Sequence, residues 1–153
     1  MAYSAEDSLT IACVRWFRLQ YPREVIYHVP NERNTKRRIA GDRWVTTGEG
    51  AKLKKMGVKK GVSDLVIPAP SNYYNGFYVE IKTETWKSGK KVKSYPTKEQ
   101  REFLSAMHDY EYAVAVVWNF EEFQSYVSRY MNNRFVLCDY LINNNHIDSE
   151  EQS

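Results

Sequence analysis

Two strand-like segments of this sequence carry charged residues among apolar ones, and they lie close together along the chain. The first is 61–67 (GVSDLVI), with Asp64 inside it, and the second is 77–82 (FYVEIK). The residues between them include Pro, Ser, Asn and Gly, which predict a turn, so the two strands should be antiparallel neighbours. Charges inside such strands are expensive to bury unless they are paired with each other or bound to a metal.

Side-chain alternation separates the second strand into two faces. Phe77, Val79 and Ile81 share one face, whereas Glu80 and Lys82 share the other with Tyr78. Carboxylates from both strands then converge, and Mg²⁺ is usually held by one or two carboxylates, with water and substrate phosphate completing the shell. The backbone carbonyl of Ile81 is a further candidate ligand.

Lys82 indicates what chemistry the two carboxylates would support. An ammonium beside a metal site can hold an attacking water and offset the charge that develops on a phosphate, while the metal polarises that phosphate. The alternative is a surface hairpin in which Glu80 and Lys82 form an ordinary ion pair. Asp64, in an apolar strand one short turn upstream, favours the functional interpretation.

Hydrophobic periodicity, capping signals and turn signals predict the remaining elements. Helices are predicted from Ser4 as N-cap to Pro22, and over 49–56, 97–109 and 119–130. Strands are predicted over 25–29, 62–67, 77–83 and 113–118. Residues 31–48 are predicted to form a mobile loop and 84–96 a basic loop. Leaving the short helix 49–56 aside, the order αβββαβα indicates an α/β domain with a central mixed β-sheet flanked by helices.

The chain length and the distribution of charge fit one nucleic-acid-binding domain. The chain has 153 residues, which suits a single domain at 1–142 followed by a polar C-terminal tail at 143–153. The net charge is +3, and the positive charge is concentrated between 31 and 61 and between 82 and 101. A soluble surface that is locally rich in lysine would look the same. The candidate phosphate contacts are Lys52, Lys54, Lys55, Lys59 and Lys60.

The two cysteines and the N-terminal residues give no sign of a zinc-binding, disulfide-linked, secreted or membrane-spanning protein. Cys13 lies on an apolar helical stripe and Cys138 in an apolar run, so both are expected to be buried, without a zinc site or a disulfide. No signal peptide or membrane span is indicated. We expect a cytoplasmic protein, in the host cytoplasm if the chain is phage-encoded, with no membrane partner and no organic cofactor.

The order of motifs resembles a known superfamily. Gly-Val-Ser-Asp, a turn, Val-Glu-Ile-Lys and then Thr-x-x-Gln on a helix are similar to the PD-(D/E)XK nucleases. Within them the chain resembles the virus-type replication-repair nuclease (VRR-NUC) domains of phage and of some DNA-repair enzymes. The resemblance covers roughly residues 5 to 128 and includes 29–32 (VPNE) and 50–62. Ser63 departs from it, since many relatives have Pro before the Asp.

The resemblance implies a role for each motif residue. Asp64 and Glu80 would be metal ligands, Lys82 the catalytic lysine, and Mg²⁺ or Mn²⁺ the cofactor. Glu6 matches an acid in the first helix that can complete the metal shell, and Gln100 matches a glutamine that helps position the site. Each of these two also has a structural explanation, because acids are favoured in a first helical turn and Gln100 completes a capping box.

The implied activity is metal-dependent endonucleolytic hydrolysis of DNA phosphodiester bonds. Stand-alone members resemble structure-specific enzymes that act as homodimers on branched DNA such as Holliday junctions. Three alternatives remain open. The chain can be a restriction-type or nonspecific endonuclease, a nuclease-fold module that only binds nucleic acid, or a structural partner protein without DNA affinity.

Overall fold

The computed structural model describes residues 2–30, 36–39, 43–46, 49–138 and 140–141. The helices are α1 (Ala5–Gln20), α2 (Glu49–Lys55), α3 (Lys98–Asp109) and α4 (Phe120–Met131). The strands are β1 (Tyr27–His28), β2 (Lys36–Ile39), β3 (Arg43–Thr46), β4 (Leu65–Ile67), β5 (Phe77–Ile81), β6 (Glu84–Lys87), β7 (Lys90–Lys93) and β8 (Ala113–Val117). Within the described part of the chain, no helix has the length and apolar character of a membrane span. The predicted tail at 143–153 lies outside the described residues.

A four-stranded mixed sheet forms the centre of the domain, with strand order β1-β4-β5-β8. β4 and β5 pair antiparallel, with Leu65 opposite Val79. β5 and β8 pair parallel, with Phe77 opposite Ala113, and α3 forms the crossover between them. The sheet strands and the three longer helices follow the order αβββαβα, so the predicted architecture is confirmed.

Helices cover both faces of this sheet. Cys13 and Phe17 of α1 pack with Phe123 and Val127 of α4 against the face that carries Val79. On the opposite face, a second apolar cluster joins α3 to β8 and to the chain after α4; its buried members are Leu104, Val114, Val116, Trp118, Leu137, Cys138 and Leu141. Both cysteines are free, and their expected burial is confirmed. The alternation of β5 therefore turns Glu80 towards the α3 side.

Side-chain caps fix the start of each long helix where the sequence predicts it. Ser4 Oγ accepts a hydrogen bond from the Asp7 N–H at 3.0 Å, and Asn119 Oδ1 accepts one from the Glu122 N–H at 2.8 Å. Thr97 caps α3 in a complete capping box. Such a cap is worth about 1 kcal/mol, which makes these helix starts sharp.

Two hairpins show that the loop predictions were partly wrong. β2 pairs with β3, and β6 pairs with β7 around a two-residue turn in which Ser88 has φ 49° and Gly89 φ 73°. Two consecutive positive φ values are the mark of a type I′ turn, which matches the twist of a hairpin. Charged side chains in these strands hid the apolar alternation that identifies strands. The predicted mobility of 31–35, 40–42 and 47–48 concerns positions outside the described residues.

Element ends also differ from prediction. β1, β4 and β5 are shorter than the apolar runs that contain them, and α2 ends at Lys55 rather than Met56. Gly57, with φ +90°, terminates α2 as predicted. Its N–H donates to Lys54 O and the Val58 N–H donates to Leu53 O, both at 3.0 Å, which is the Schellman pattern.

Candidate functional site

Asp64 and Glu80 lie next to each other across neighbouring strands. Asp64 directly precedes β4 and is 2% exposed, and Glu80 lies in β5 with 0% exposed. The register that pairs Leu65 with Val79, extended by one residue, sets Asp64 opposite Glu80, where directly opposed Cβ atoms are about 4.5–5.5 Å apart. The sequence indicated that Asp64 lies in the middle of its strand. In the structure it lies immediately before β4, at the start of the strand.

Lys82 and Gln100 both bind the same oxygen of Glu80. Lys82 Nζ lies 3.0 Å from Glu80 Oε1, and Gln100 Nε2 donates a short hydrogen bond to that atom. The ion pair of the alternative interpretation therefore exists, but it is not on the surface, because the Lys82 side chain is only 11% exposed and that of Glu80 is fully buried. An exposed Glu–Lys hairpin pair is thereby excluded.

The second oxygen of Glu80 has no hydrogen-bond partner in the part of the chain that the structure describes. Oε2 is buried and makes no hydrogen bond, although the large majority of buried polar atoms have at least one. Burial raises the pKa of Glu80 to about 8, together with repulsion by Asp64, and the neighbouring Lys82 only partly opposes this. The carboxylate consequently lacks one compensating positive charge or donor at Oε2.

Asp64 also contacts the backbone of β5. Its Oδ2 accepts a hydrogen bond from the Ile81 N–H at 2.8 Å. In an extended strand the N–H and C=O of one residue point to the same edge, so the Ile81 carbonyl faces the Asp64 side. Asp64, Glu80 and Ile81 thus bring oxygen atoms to the same end of β5.

Glu6 approaches this position from the first turn of α1. Its pKa is raised, because partial burial and the negative charge of Asp64 outweigh the positive charges of Lys82 and His28. Among the described residues, however, no group of three or more His, Cys, Asp or Glu side chains is close enough to hold a metal. The charge of Glu6 therefore influences Asp64 and Glu80, but Glu6 does not form a metal-binding cluster with them.

His28 belongs to the same neighbourhood. Its Nδ1 lies 2.9 Å from the backbone carbonyl of Asp64, which also accepts the Val29 N–H at 2.8 Å. Since a carbonyl only accepts, Nδ1 carries the proton in this contact. His28 has no ligand-like spacing to another residue, and only the pairing of β1 with β4 brings it here.

Lys60 is the one candidate DNA contact with a structural link to the site. Its Nζ lies 3.5 Å from Glu99 Oε1, next to Gln100 in α3. Gly61, with φ +87°, allows this approach, because a Cβ there would lie 2.6 Å from the Glu99 backbone. The remaining candidates are exposed on α2 and in the loop after it, and no described contact joins them to the site: Lys52, Lys54, Lys55 and Lys59.

Comparison with known proteins identifies the fold. No family model matches the sequence, and no curated protein matches it. A solved structure described as a VRR_NUC domain protein is similar over 88% of this chain and 94% of its own, with a TM-score of 0.61 and 23% sequence identity. The chain therefore has the VRR-NUC fold, and the fold that the motifs predicted is confirmed.

Proposed function

We propose that this chain is a metal-dependent endonuclease that hydrolyses DNA phosphodiester bonds at the site formed by Asp64, Glu80 and Lys82. The unpartnered Oε2 of Glu80 carries the proposal. A carboxylate kept only for structure would have both oxygens satisfied or would be replaced by an apolar residue. A divalent cation at Oε2 would supply the missing compensation and would bring Asp64 into the same coordination shell.

The donor set fits Mg²⁺ or Mn²⁺. The Asp64 and Glu80 carboxylates and the Ile81 carbonyl would hold the ion, and Glu6 would approach it from α1 to complete the shell. All of these are hard oxygen ligands, which Mg²⁺ prefers. When bound, the ion supplies Lewis acidity to the phosphate and to water.

Lys82 is proposed as the catalytic lysine. Its ammonium lies 3.0 Å from Glu80 Oε1, so it is held in the same place as the proposed metal ligands. There it orients the attacking water and offsets the negative charge that grows on the phosphate oxygens. Its low exposure strengthens this interaction, since the effective dielectric constant falls with burial.

Gln100 is proposed as a positioning residue. Its Oε1 accepts the Thr97 N–H at 2.8 Å, while its Nε2 donates to Glu80. The amide therefore links the N-terminus of α3 to the Glu80 carboxylate. The Gln100 side chain therefore completes the capping box of α3 and also contacts Glu80.

The finer parts of the proposal concern the substrate and the assembly. We propose branched DNA, cut by a homodimer, because stand-alone VRR-NUC domains resemble Holliday junction resolvases and two sites in one dimer suit paired cuts. The exposed lysines on α2 and in the following loop would contact phosphates, with Lys60 nearest to the site. Cytoplasmic localisation, in a phage-infected host if the chain is phage-encoded, belongs to the same proposal.

Cleavage of linear and four-way DNA in Mg²⁺, Mn²⁺ and EDTA tests the activity. Wild type should cut with either metal and not in EDTA, and it should cut four-way DNA at least about tenfold faster than linear duplex. Lys82→Ala should lower the rate at least about 100-fold, because removing one transition-state donor has effects of that size. The control is Arg129→Ala, which removes an exposed cation from α4 and should leave the rate unchanged.

Each negative outcome of this assay has a definite meaning. DNA binding without cutting by wild type would replace the enzyme with a binding module. Equal rates on linear and four-way DNA would leave a nonspecific or restriction-type nuclease and remove the branch preference. Equal loss in Lys82→Ala and Arg129→Ala would refute the role of Lys82, and absence of any salt-sensitive DNA binding would favour a structural protein.

A further inference from the structure

The β6–β7 hairpin projects from the end of the sheet that carries the candidate site. β6 starts at Glu84, two residues after Lys82. Thr83 and Ser94 close the base of the hairpin, with the Ser94 N–H donating to Thr83 O at 2.9 Å. The Trp118 indole N–H donates to Ser94 O at 2.7 Å, which ties the hairpin to the end of β8.

One face of this hairpin carries an exposed tryptophan between lysines. The register places Trp86 opposite Lys91 and Glu84 opposite Lys93. Both lysines pair with the single carboxylate of Glu84, and Lys93 Nζ also lies 5.0 Å from the centre of the Trp118 ring. Because one carboxylate compensates two ammonium groups, this face keeps a positive charge.

The indole of Trp86 is 73% exposed. Lys87 and Lys90 at the turn are also exposed, and strand alternation places them on the opposite face of the hairpin from Trp86. An aromatic ring with lysines beside it and at the adjacent turn suits a nucleic acid, whose bases stack on aromatic rings while its phosphates attract lysine. A second copy of this hairpin would instead meet like charge, and an apolar protein surface would leave the lysines without partners.

Chain length limits how far the ring lies from the site. Trp86 is four residues after Lys82, and four extended residues span at most about 14 Å. Neighbouring nucleotides of one duplex strand rise about 3.4 Å each. The Cα atoms of Trp86 and Lys82 are therefore separated by no more than about four nucleotide steps, and the lengths of the two side chains add to that reach.

We propose that Trp86 stacks on an unpaired base near the cut phosphate, while Lys91 beside the ring and Lys87 and Lys90 at the turn contact the DNA backbone. Within the proposed branched substrates, this contact favours those that expose unpaired bases beside the cut site, since bases inside a continuous duplex have both faces already stacked. The position of the cut phosphate rests on the proposed nuclease function; the stacking contact itself does not.

Binding in EDTA, where cutting is suppressed, tests the contact. The probes are a continuous duplex and a duplex with a short single-stranded gap that carries 2-aminopurine. Trp86→Ala should weaken binding to the gapped DNA at least about tenfold, with less than a twofold effect on the duplex, and Trp86→Phe should restore most of the loss. Wild type should quench the 2-aminopurine, and Trp86→Ala should not.

Tyr73→Ala is the matched control. Tyr73 is an aromatic residue with 82% exposure, but it lies in the turn between β4 and β5, at the other end of β5 from Glu80. Its removal should change neither the affinity nor the quenching. Unfolding midpoints in urea should be the same for all variants, because both rings lie on the surface.

Other outcomes would overturn the contact. Equal weakening on both DNAs, unchanged binding, or quenching that persists in Trp86→Ala would show that the ring does not stack on an unpaired base. A shift from dimer to monomer in Trp86→Ala, seen by sedimentation, would make the hairpin an interface between copies. If wild type cuts no DNA but quenching still depends on Trp86, the stacking stands and the nuclease proposal fails.

Discussion

Glu80 is buried between a second carboxylate, Asp64, and a single ammonium, Lys82. Lys82 and Gln100 bind its Oε1, whereas Oε2 is buried without a partner. Burial and the proximity of Asp64 raise the pKa of Glu80 to about 8. Two buried carboxylates beside one ammonium oppose folding, so a bound cation at Oε2 would favour both the charged carboxylate and the folded protein.

The protonation of Glu80 predicts how the free energy of unfolding in EDTA depends on pH. Because the pKa of Glu80 is raised in the folded state, the folded protein keeps a proton that the unfolded chain loses above pH 4.5. The free energy of unfolding should therefore fall as pH rises towards 8. Between about pH 5.5 and 7.5, wild type should lose about 2 kcal/mol more than Glu80→Gln. Urea unfolding at both pH values measures this, and equal losses would contradict the raised pKa.

At the scale of elements, the loop before β4 is fitted against the start of α3. Gly61 lies against the Glu99 backbone, and Lys60 pairs with Glu99 at the surface. This contact holds the N-terminus of α3, and with it Gln100, beside Glu80. The exposed Lys60–Glu99 pair contributes little by itself, so the close backbone approach at Gly61 is the stronger constraint.

Gly61→Ala should therefore destabilise the protein by at least about 2 kcal/mol, because it combines a positive φ with a steric clash. The matched control is Gly57→Ala, which has a similar φ but no atom within 4 Å of the added Cβ. That variant should lose only about 1 kcal/mol. Urea unfolding of both variants measures the difference, and equal losses would show that the contact with Glu99 is unimportant.

At the scale of the whole molecule, the sequence predicted the elements that bury apolar surface. The runs around β4, β5 and β8 are apolar and buried, and the capping residues Ser4, Thr97 and Asn119 marked helix starts. The charged residues within two neighbouring apolar segments also indicated that Asp64, Glu80 and Lys82 would lie close together. These features follow from local sequence, which is why pattern analysis found them.

The sequence did not predict features that depend on exposed strands or on distant pairing. The β6–β7 hairpin is rich in charged residues and gives no apolar pattern, so only its turn residues signalled it. The contact of His28 with Asp64 requires the pairing of β1 with β4. The unpartnered oxygen of Glu80 depends on three elements that meet in space, and no local spacing encodes it.

Calorimetric titration of the metal-free protein with Mn²⁺ tests the central claim, that two buried carboxylates on neighbouring strands form a cation site. Wild type should bind saturably, and both Asp64→Asn and Glu80→Gln should weaken binding by more than about 100-fold, beyond the usual effect of losing an outer partner. Glu121→Gln, which neutralises an exposed acid in the first turn of α4, should bind as wild type does. Identical isotherms for wild type, Asp64→Asn and Glu80→Gln would contradict the account.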